Sequence, residues 1–93
     1  MIASFADRDT ETLFNRGRPK RIDPRVQPVA LRKLRYLDAA ARLDDLRVPP
    51  GNRLEALKGD RAGQYSIRVN DQWRIVFTWQ DNQAHDVEIV DYH

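Results

Sequence analysis

The spacing of the apolar residues changes near Gly63, and this change constrains the fold more than any other feature of the chain. Before Gly63, apolar residues recur every three or four positions, which is the period of one buried helical face. They are Val26, Ala30, Leu34, Leu37 and Ala41. After Gly63, apolar and polar residues alternate, as they do in strands with one buried side. The pattern therefore predicts an α+β domain in which the helices precede most of the sheet.

Two helices are expected in the first half of the chain. Asp9 or Thr10 can cap a short helix that continues to Asn15. Asp23 is expected to cap a second helix with Pro24 as its first residue, where the missing amide hydrogen of proline costs nothing. The polar side of this second helix is expected to point three cations outward, namely Arg32, Lys33 and Arg35.

Four strands complete the expected fold. Met1–Phe5 is a short apolar opening, and three alternating runs follow Gly63. These runs contain Tyr65–Val69, Trp73–Trp79 and Val87–Val90. Tight turns between them predict an antiparallel meander. The expected order is strand, helix, helix and three strands, with both helices packed on the sheet of a single domain, residues 1–93.

The segment Arg16–Arg25 contains five basic residues and two prolines and has little that can be buried. We expect it to be mobile in the isolated protein. Two interpretations stay open at this point. The segment is either a plain connection between helices or an arm that contacts phosphates or a partner.

Composition excludes several classes of protein. The chain has no cysteine, and its two histidines, His85 and His93, belong to no clustered ligand pattern, so neither a metal nor another cofactor is expected. No apolar run reaches the ~20 residues of a membrane span. Because the start of the chain also lacks the pattern of a signal peptide, we expect a cytoplasmic protein with no membrane association.

The distribution of charge is more informative than the net charge of +2. All sixteen lysines and arginines lie between Arg8 and Arg74. Cations confined in this way can present a basic face to a polyanion, although the same residues can also simply keep a small domain soluble.

Cleavage of RNA without a metal requires few groups. A base takes the proton of a 2′-hydroxyl, cations stabilise the charge on the phosphate, and an acid protonates the leaving 5′-oxygen. The candidate cations are Arg53, Lys58, Arg68 and Arg74; the candidate proton-transfer groups are Tyr92 and His93; and the candidate carboxylates are Glu55 and Asp91. No nucleophile motif surrounds Ser66 or Thr78, so covalent catalysis is set aside.

Two runs of sequence and the chain end resemble the HigB-like branch of the RelE/ParE toxin superfamily. The run 52–63 contains L-x-x-L-x-G-x-R-x-G, and the run 64–77 contains S-I-x-V-x-x-x-W-R-I-x-F. The chain closes on Asp91-Tyr92-His93 and opens on M-I-x-S-F, which also match. The resemblance covers essentially the whole chain.

This resemblance implies a RelE-like fold and a toxin paired with a helix-turn-helix antitoxin. It also implies cleavage of mRNA on the ribosome. Asp91, Tyr92 and His93 match the terminal motif, while Lys58 and Arg74 match positions that relatives use near the phosphate.

Two positions depart from the family pattern. Glu55 stands where some relatives have a histidine, and Asn70 stands where some have an arginine. Proton transfer is therefore expected to depend on His93 and Tyr92, with Glu55 as a further candidate.

The remaining roles follow from the chemistry of the side chains. Lys58 and Arg74 would clamp the phosphate, and Arg53 and Arg68 would bind RNA. A histidine has a reference pKa near ~6.5, so His93 could shuttle protons near neutrality.

Two rival functions are compatible with these residues. One is a non-enzymatic gyrase poison of the ParE type, and the other is a nucleic-acid-binding module without catalysis. Trp73 and Trp79 could stack on bases. By alternation, however, they share the face of Ile75 and Phe77, which favours a place in the core.

Overall fold

The protein is described by a computed structural model that covers residues 1–91. Within these residues lie two α-helices, α1 (Arg8–Phe14) and α2 (Gln27–Ala39). The strands are β1 (Glu55–Ala56), β2 (Tyr65–Arg68), β3 (Trp73–Gln80) and β4 (Gln83–Asp91). They form one sheet in the order β1-β2-β3-β4, with antiparallel neighbours throughout. The expected α+β class, with a terminal meander and two helices, is confirmed.

The opening segment does not form the strand that was expected at Met1–Phe5. It makes two isolated parallel bridges to β4, from Ile2 to Ala84 and from Phe5 to Val87. Between these partners, Asp86 has a φ of 53°, which interrupts the extended backbone of β4. The segment therefore lies along β4 without a continuous ladder, and the fourth strand of the sheet is the two-residue β1, which sequence alone did not predict.

Both helices begin at residues other than those expected. The side chain of Asp7, rather than that of Asp9 or Thr10, caps α1 by accepting a hydrogen bond from the Thr10 amide at 3.3 Å. Asp23 instead closes a tight turn, since its Oδ1 accepts from the amide of Arg25 at 2.9 Å. Because this turn precedes the helix, α2 begins at Gln27 and not at Pro24.

The apolar side of α2 is fully buried at Ala30, Leu34 and Leu37, as expected. Lys33 lies on the same side and is only 6% exposed, so the expectation that it points outward is wrong. Position 33 is three residues after Ala30 and four before Leu37, which places it on the buried face. At the end of the helix, Ala40 rather than Ala41 completes the buried stripe, because the backbone becomes extended at Ala40.

The helices cover one face of the sheet and form the core with it. The core side of the strands contains Ile67, Ile75, Phe77, Val87 and Ile89, all fully buried. Trp73 is buried among these residues, and Trp79 is partly buried and packs against them, so both tryptophans lie on the core side of the sheet, as expected.

The basic segment contributes Ile22 to this core, and its Pro19 is buried as well. Ile22 is 0% exposed, and Arg21 donates through Nη1 to the carbonyl of Ile89 at 2.9 Å. The side-chain amide of Gln27 donates to the carbonyls of Pro19 and Ile22 at 3.0 and 2.9 Å. The expectation that this segment has little to bury is therefore wrong. Within residues 1–91, no helix combines the length and the apolar character that crossing a bilayer requires.

Candidate functional site

The face of the sheet that the helices leave uncovered carries two rows of side chains. Directly paired residues on neighbouring strands point to the same side of a sheet. One row is Glu55, Ser66, Val76 and Glu88, and the next is Arg68, Arg74 and Val90. We call these seven residues the polar face. Four of the seven are charged, whereas the opposite side of the sheet is the apolar core.

Arg74 lies in the middle of the polar face, and its guanidinium is held from two directions. Its Nε donates to Oγ of Ser66 at 2.8 Å, and its Nη2 donates to the carbonyl of Arg53 at 2.8 Å. Ser66 is completely buried, and the Arg74 side chain is only 12% exposed. An arginine held in this way has lost much of its rotational freedom before any ligand arrives.

The Nη1 group of Arg74 is the part of the guanidinium that can meet a ligand. Nε and Nη2 are used inside the protein, whereas Nη1 has no hydrogen-bond partner among residues 1–91. Among residues 1–91, the side-chain atom that is both buried and without a partner is Oδ1 of Asp7, so Nη1 of Arg74 keeps some contact with solvent. Because guanidinium N–H groups match the oxygens of phosphate, the exposed edge of Arg74 is suited to an anion.

Glu55 supplies a carboxylate beside this arginine. The pairing of β1 with β2 puts Glu55 opposite Ser66, and its Oε1 lies 3.6 Å from Nη2 of Arg74. The Glu55 side chain remains 58% exposed, so it can also reach a ligand or water. The structure thus brings together Glu55 and Arg74, two of the residues singled out in the sequence.

Arg53 contributes its backbone to the site as well as its charge. Its φ of 46° places it in the left-handed region, directly after the turn Pro50–Asn52, and this turn directs its carbonyl toward Arg74. The side chain of Arg53 is exposed. It was expected to contribute only a cation, and the role of its carbonyl could not be read from residue type.

Asn52 holds the turn that precedes Arg53. It is completely buried, and its Nδ2 donates to the carbonyls of Leu46 and Val48 at 3.1 and 3.3 Å. Its Oδ1 accepts a hydrogen bond from Nζ of Lys33 on α2. Burial, followed by the like charges of Arg32 and Arg68, lowers the pKa of Lys33 from its ordinary 10.5. The helix is thereby connected to the segment that positions Arg74.

Arg61 was not among the residues proposed from sequence, although it belongs to the L-x-x-L-x-G-x-R-x-G run. Its Nη1 donates to Oε1 of Gln64 and to Oε1 of Glu88, both at 3.1 Å. Glu88 lies in the first row of the polar face, so Arg61 crosses from the segment after β1 to the far strand of the sheet. In the sequence, the position of Arg61 between two glycines of the motif was the feature that could have identified it as a site residue.

The other proposed cations, Arg68 and Lys58, are held less firmly than Arg74. Arg68 pairs with Asp71, whose side chain is fully exposed, so a phosphate can replace that carboxylate. Lys58 is exposed and precedes the turn Gly59–Arg61, and it makes no ion pair with residues 1–91. Neither Arg68 nor Lys58 is fixed in the way that Arg74 is.

The chain end departs from the expected cluster in one respect. Asp91 lies opposite Trp73, which puts its side chain on the core side of the sheet rather than on the side of Arg74. Its Oδ2 accepts a hydrogen bond from Nε2 of Gln72 at 2.9 Å. The structure therefore does not bring Asp91 together with Arg74. Tyr92 and His93 lie outside the described residues.

Two other sequence candidates have structural roles. Ser66 is buried and accepts from Arg74, and Thr78 donates to the carbonyl of His85 at 3.3 Å. Residues 1–91 contain no group of three or more histidine, cysteine or acidic side chains that could hold a metal ion.

Comparison with known proteins gives relatives across nearly the whole chain. Residues 3–93 match the family model described as RelE-like toxin of type II toxin-antitoxin system HigB. Toxin HigB-1 of Vibrio cholerae serotype O1 is 42% identical over 85 residues, which cover 90% of both chains. Endoribonuclease HigB of Proteus vulgaris is 31% identical over 93 residues, which cover all of both chains.

A solved structure gives the same result for the fold. The YoeB-YefM complex from Staphylococcus aureus contains a chain that superposes with a TM-score of 0.62 and 18% sequence identity. The match covers 100% of this chain and 98% of that one. Family model, relatives and fold agree, and the chain therefore belongs to the HigB family of RelE-like toxins of type II toxin–antitoxin systems.

Proposed function

We propose that this protein is an endoribonuclease that cleaves mRNA on the ribosome and so stops translation. The observation that carries the proposal is the guanidinium of Arg74, which the protein holds by Nε and Nη2 with Nη1 left toward solvent. A cation fixed before the reaction stabilises developing charge without having to reorganise. The name of the Proteus vulgaris relative, an endoribonuclease, supports the same reaction class.

In the proposed reaction, the 2′-oxygen of the RNA attacks the adjacent phosphorus. The bond from phosphorus to the 5′-oxygen breaks, which leaves a 2′,3′-cyclic phosphate and a 5′-hydroxyl. Arg74 would bind one of the phosphate oxygens that gain charge, and Lys58, Arg53 and Arg68 would hold the neighbouring backbone. No metal ion takes part in this scheme.

Proton transfer is assigned to the chain end, with Glu55 as the alternative. His93 and Tyr92 follow Val90, the strand partner of Arg74, by three and two residues in the sequence. His93 would take the proton of the 2′-hydroxyl or protonate the 5′-oxygen, and Tyr92 would hold the reacting nucleotide. Glu55 is the carboxylate that pairs with Arg74 among residues 1–91, so it would act as the base if His93 does not.

The proposal includes a protein partner and a place of action. A toxin of this family would be held inactive by a helix-turn-helix antitoxin, and its target would be ribosome-bound mRNA in the cytoplasm. The solved relative is itself a complex with a second protein, YefM.

Primer extension on ribosome-bound mRNA in a purified translation system tests the proposal. We expect cuts within the occupied codon, no comparable cuts in free mRNA, and the same cuts after a chelator removes accessible metal. Products should carry a 2′,3′-cyclic phosphate. The variant Arg74→Lys, which keeps the charge but not the planar fork, should lose most of these cuts.

Other outcomes would identify the rival functions. Poisoning of purified gyrase without RNA cuts would indicate a ParE-like toxin. Salt-sensitive binding to any nucleic acid with no cuts would indicate a binding module. Cuts in free RNA equal to those on the ribosome would remove the ribosome from the proposal and leave the nuclease.

A further inference from the structure

A groove lies between the end of α1, the basic segment and the start of α2. Its volume is about 650 Å³, within the range of sites that receive ligands. Its apolar lining consists of Leu13, Pro19, Pro24, Pro28 and Leu31. These elements pack on the core side of the sheet, so the groove belongs to the helical side of the molecule and not to the polar face.

The rim of this groove is exclusively basic. Arg16, Arg18 and Lys20 occupy alternate positions along it, and all three are exposed. None of them forms an ion pair with another residue in the range 1–91, whereas Arg21 and Arg25 in the same segment do. No acidic residue in the described part of the chain lines the groove. The groove thus presents unpaired positive charge around an apolar floor.

The rim is shaped before any partner binds. Gly17 donates its amide to the carbonyl of Thr12 at 2.8 Å, and a Cβ at Gly17 would lie 2.5 Å from Cγ2 of Thr12. The side chain of Gln27, the one uncharged polar side chain in the lining, already bonds the carbonyls of Pro19 and Ile22. A partner therefore meets a preformed groove in which the Gln27 amide is already bonded inside the protein, and this lowers the entropic cost of binding.

We propose that this groove binds an acidic segment of the antitoxin, with apolar side chains inserted against Leu31 and the prolines and carboxylates paired with Arg16, Arg18 and Lys20. The cations on the rim, which form no ion pair within residues 1–91, favour a partner of negative charge. Within the described residues 1–91, the lining contains no aromatic ring on which a base could stack, which favours a polypeptide over RNA. This inference rests on the proposed antitoxin partner and adds the surface and the chemistry by which that partner is recognised.

The test uses the full-length chain and the purified antitoxin encoded by the adjacent reading frame, with affinity measured by isothermal titration calorimetry. The variant Arg16→Glu/Arg18→Glu/Lys20→Glu should weaken binding by about 100-fold, because attraction becomes repulsion at three positions. The matched control Arg8→Glu/Arg32→Glu/Arg35→Glu makes the same change in net charge at exposed residues outside the groove, and it should stay within about threefold of the native affinity. Leu31→Ala should weaken binding by about tenfold through lost apolar contact.

Several results would overturn the inference. Equal losses in the two triple variants would mean general electrostatic attraction, and no loss in the groove variant would mean another surface. A larger effect on binding of a 15-nucleotide RNA than on antitoxin binding would make the groove a nucleic-acid surface. If the groove variant changed only the mass of the isolated protein in solution and not its affinity for antitoxin, the groove would instead be a contact between copies of this protein.

The same experiment separates this inference from the proposed function. Antitoxin affinity is measured without any cleavage. If the groove variant loses the antitoxin and the native chain cuts no RNA, only the nuclease proposal fails. If RNA is cut and the groove variant binds antitoxin normally, only the groove proposal fails.

Discussion

The guanidinium of Arg74 takes part both in the packing of the sheet and in the proposed chemistry. Its bond to Ser66 satisfies a hydroxyl that is completely buried, and its bond to Arg53 secures the segment before β1. Removing a partner from a buried polar group costs about 1–3 kcal/mol. Arg74→Ala is therefore expected to lower stability as well as activity. A substitution that retains the charge separates these two effects better.

Arg74→Lys is expected to reduce RNA cleavage by about 100-fold or more, the loss typical of one fixed donor to developing charge. A lysine ammonium cannot bond Ser66 and Arg53 and still present a donor to the phosphate in the geometry of arginine. Single-turnover cleavage measures the effect, and thermal melting verifies the fold. Ser66→Ala is the matched control, since it frees Nε while leaving the arginine, and it should cost much less activity. Cleavage at the native rate by Arg74→Lys would show that Arg74 does not bind the phosphate.

Lys33 yields a prediction about pH. Burial, with the like charges of Arg32 and Arg68, puts the pKa of Lys33 in the folded chain below its ordinary 10.5. Between the folded and the unfolded pKa, the unfolded chain binds more protons, so the free energy of unfolding rises with pH in that window. Lys33→Gln should lack this rise. Urea unfolding at a series of pH values up to about 10.5 should therefore show the native chain gaining stability relative to the variant. Parallel curves for the two proteins would contradict the assignment.

At the scale of the elements, the basic segment combines an anchored interior with an exposed charged edge. Ile22 is fully buried while Arg16, Arg18 and Lys20 are exposed. Pro19 and Ile22 are both buried, and Ile22 belongs to the core cluster, where a well-packed isoleucine makes several favourable contacts. The charges therefore lie on a segment that is attached to the core, and its mobility in the isolated protein stays a prediction.

Ile22→Ala is expected to destabilise the protein by about 2–5 kcal/mol, the range for truncation of a buried isoleucine. Urea unfolding followed by circular dichroism measures this loss. Lys20→Ala, in the same segment, should change stability by no more than about 0.5 kcal/mol, as exposed substitutions do. Similar small effects for both substitutions would mean that the segment is not held by Ile22.

At the scale of the whole molecule, the surroundings of Arg74 are assembled from segments that are distant in the chain. The turn before β1 supplies the carbonyl of Arg53, β1 supplies Glu55, β2 supplies Ser66, and β3 supplies Arg74. The helices lie on the other side of the sheet, and Lys33 reaches from α2 to the turn through Asn52. The proposed substrate surface and the proposed antitoxin groove thus lie on opposite sides of the sheet.

Deletion of Tyr92 and His93 should leave the fold nearly as stable but abolish cleavage. Terminal residues seldom contribute to packing, so the melting temperature should change little. A positioned acid–base group supplies about 100- to 10,000-fold in rate, which sets the expected loss of cleavage. The measurement compares truncated and full-length proteins on ribosome-bound mRNA. His93→Gln and Tyr92→Phe separate the contributions of the two residues. Unchanged cleavage after the deletion would assign proton transfer to Glu55. Glu55→Gln would then test that assignment.

The sequence by itself determined the class of fold, because the period of apolar residues is a local property that each helix and strand carries within itself. It also determined the family, since the L-x-x-L-x-G-x-R-x-G and S-I-x-V-x-x-x-W-R-I-x-F runs lie in continuous stretches. Element boundaries were less predictable. Asp7 and Asp9 are equally suitable caps by residue type, and only the path of the backbone selects one of them.

Tertiary structure alone decided how the site is built. Arg74 meets Ser66 and Arg53, which lie 8 and 21 residues earlier, because strand register and a left-handed residue place them there. The ammonium group of Lys33 finds its partner in Asn52, 19 residues away, which accepts its hydrogen bond on the buried face of α2. Asp91 is directed to the core side although it stands next to the expected proton-transfer residues in sequence. Such contacts depend on which strands pair and how the helix packs, and neither is contained in the periodicity of a single segment.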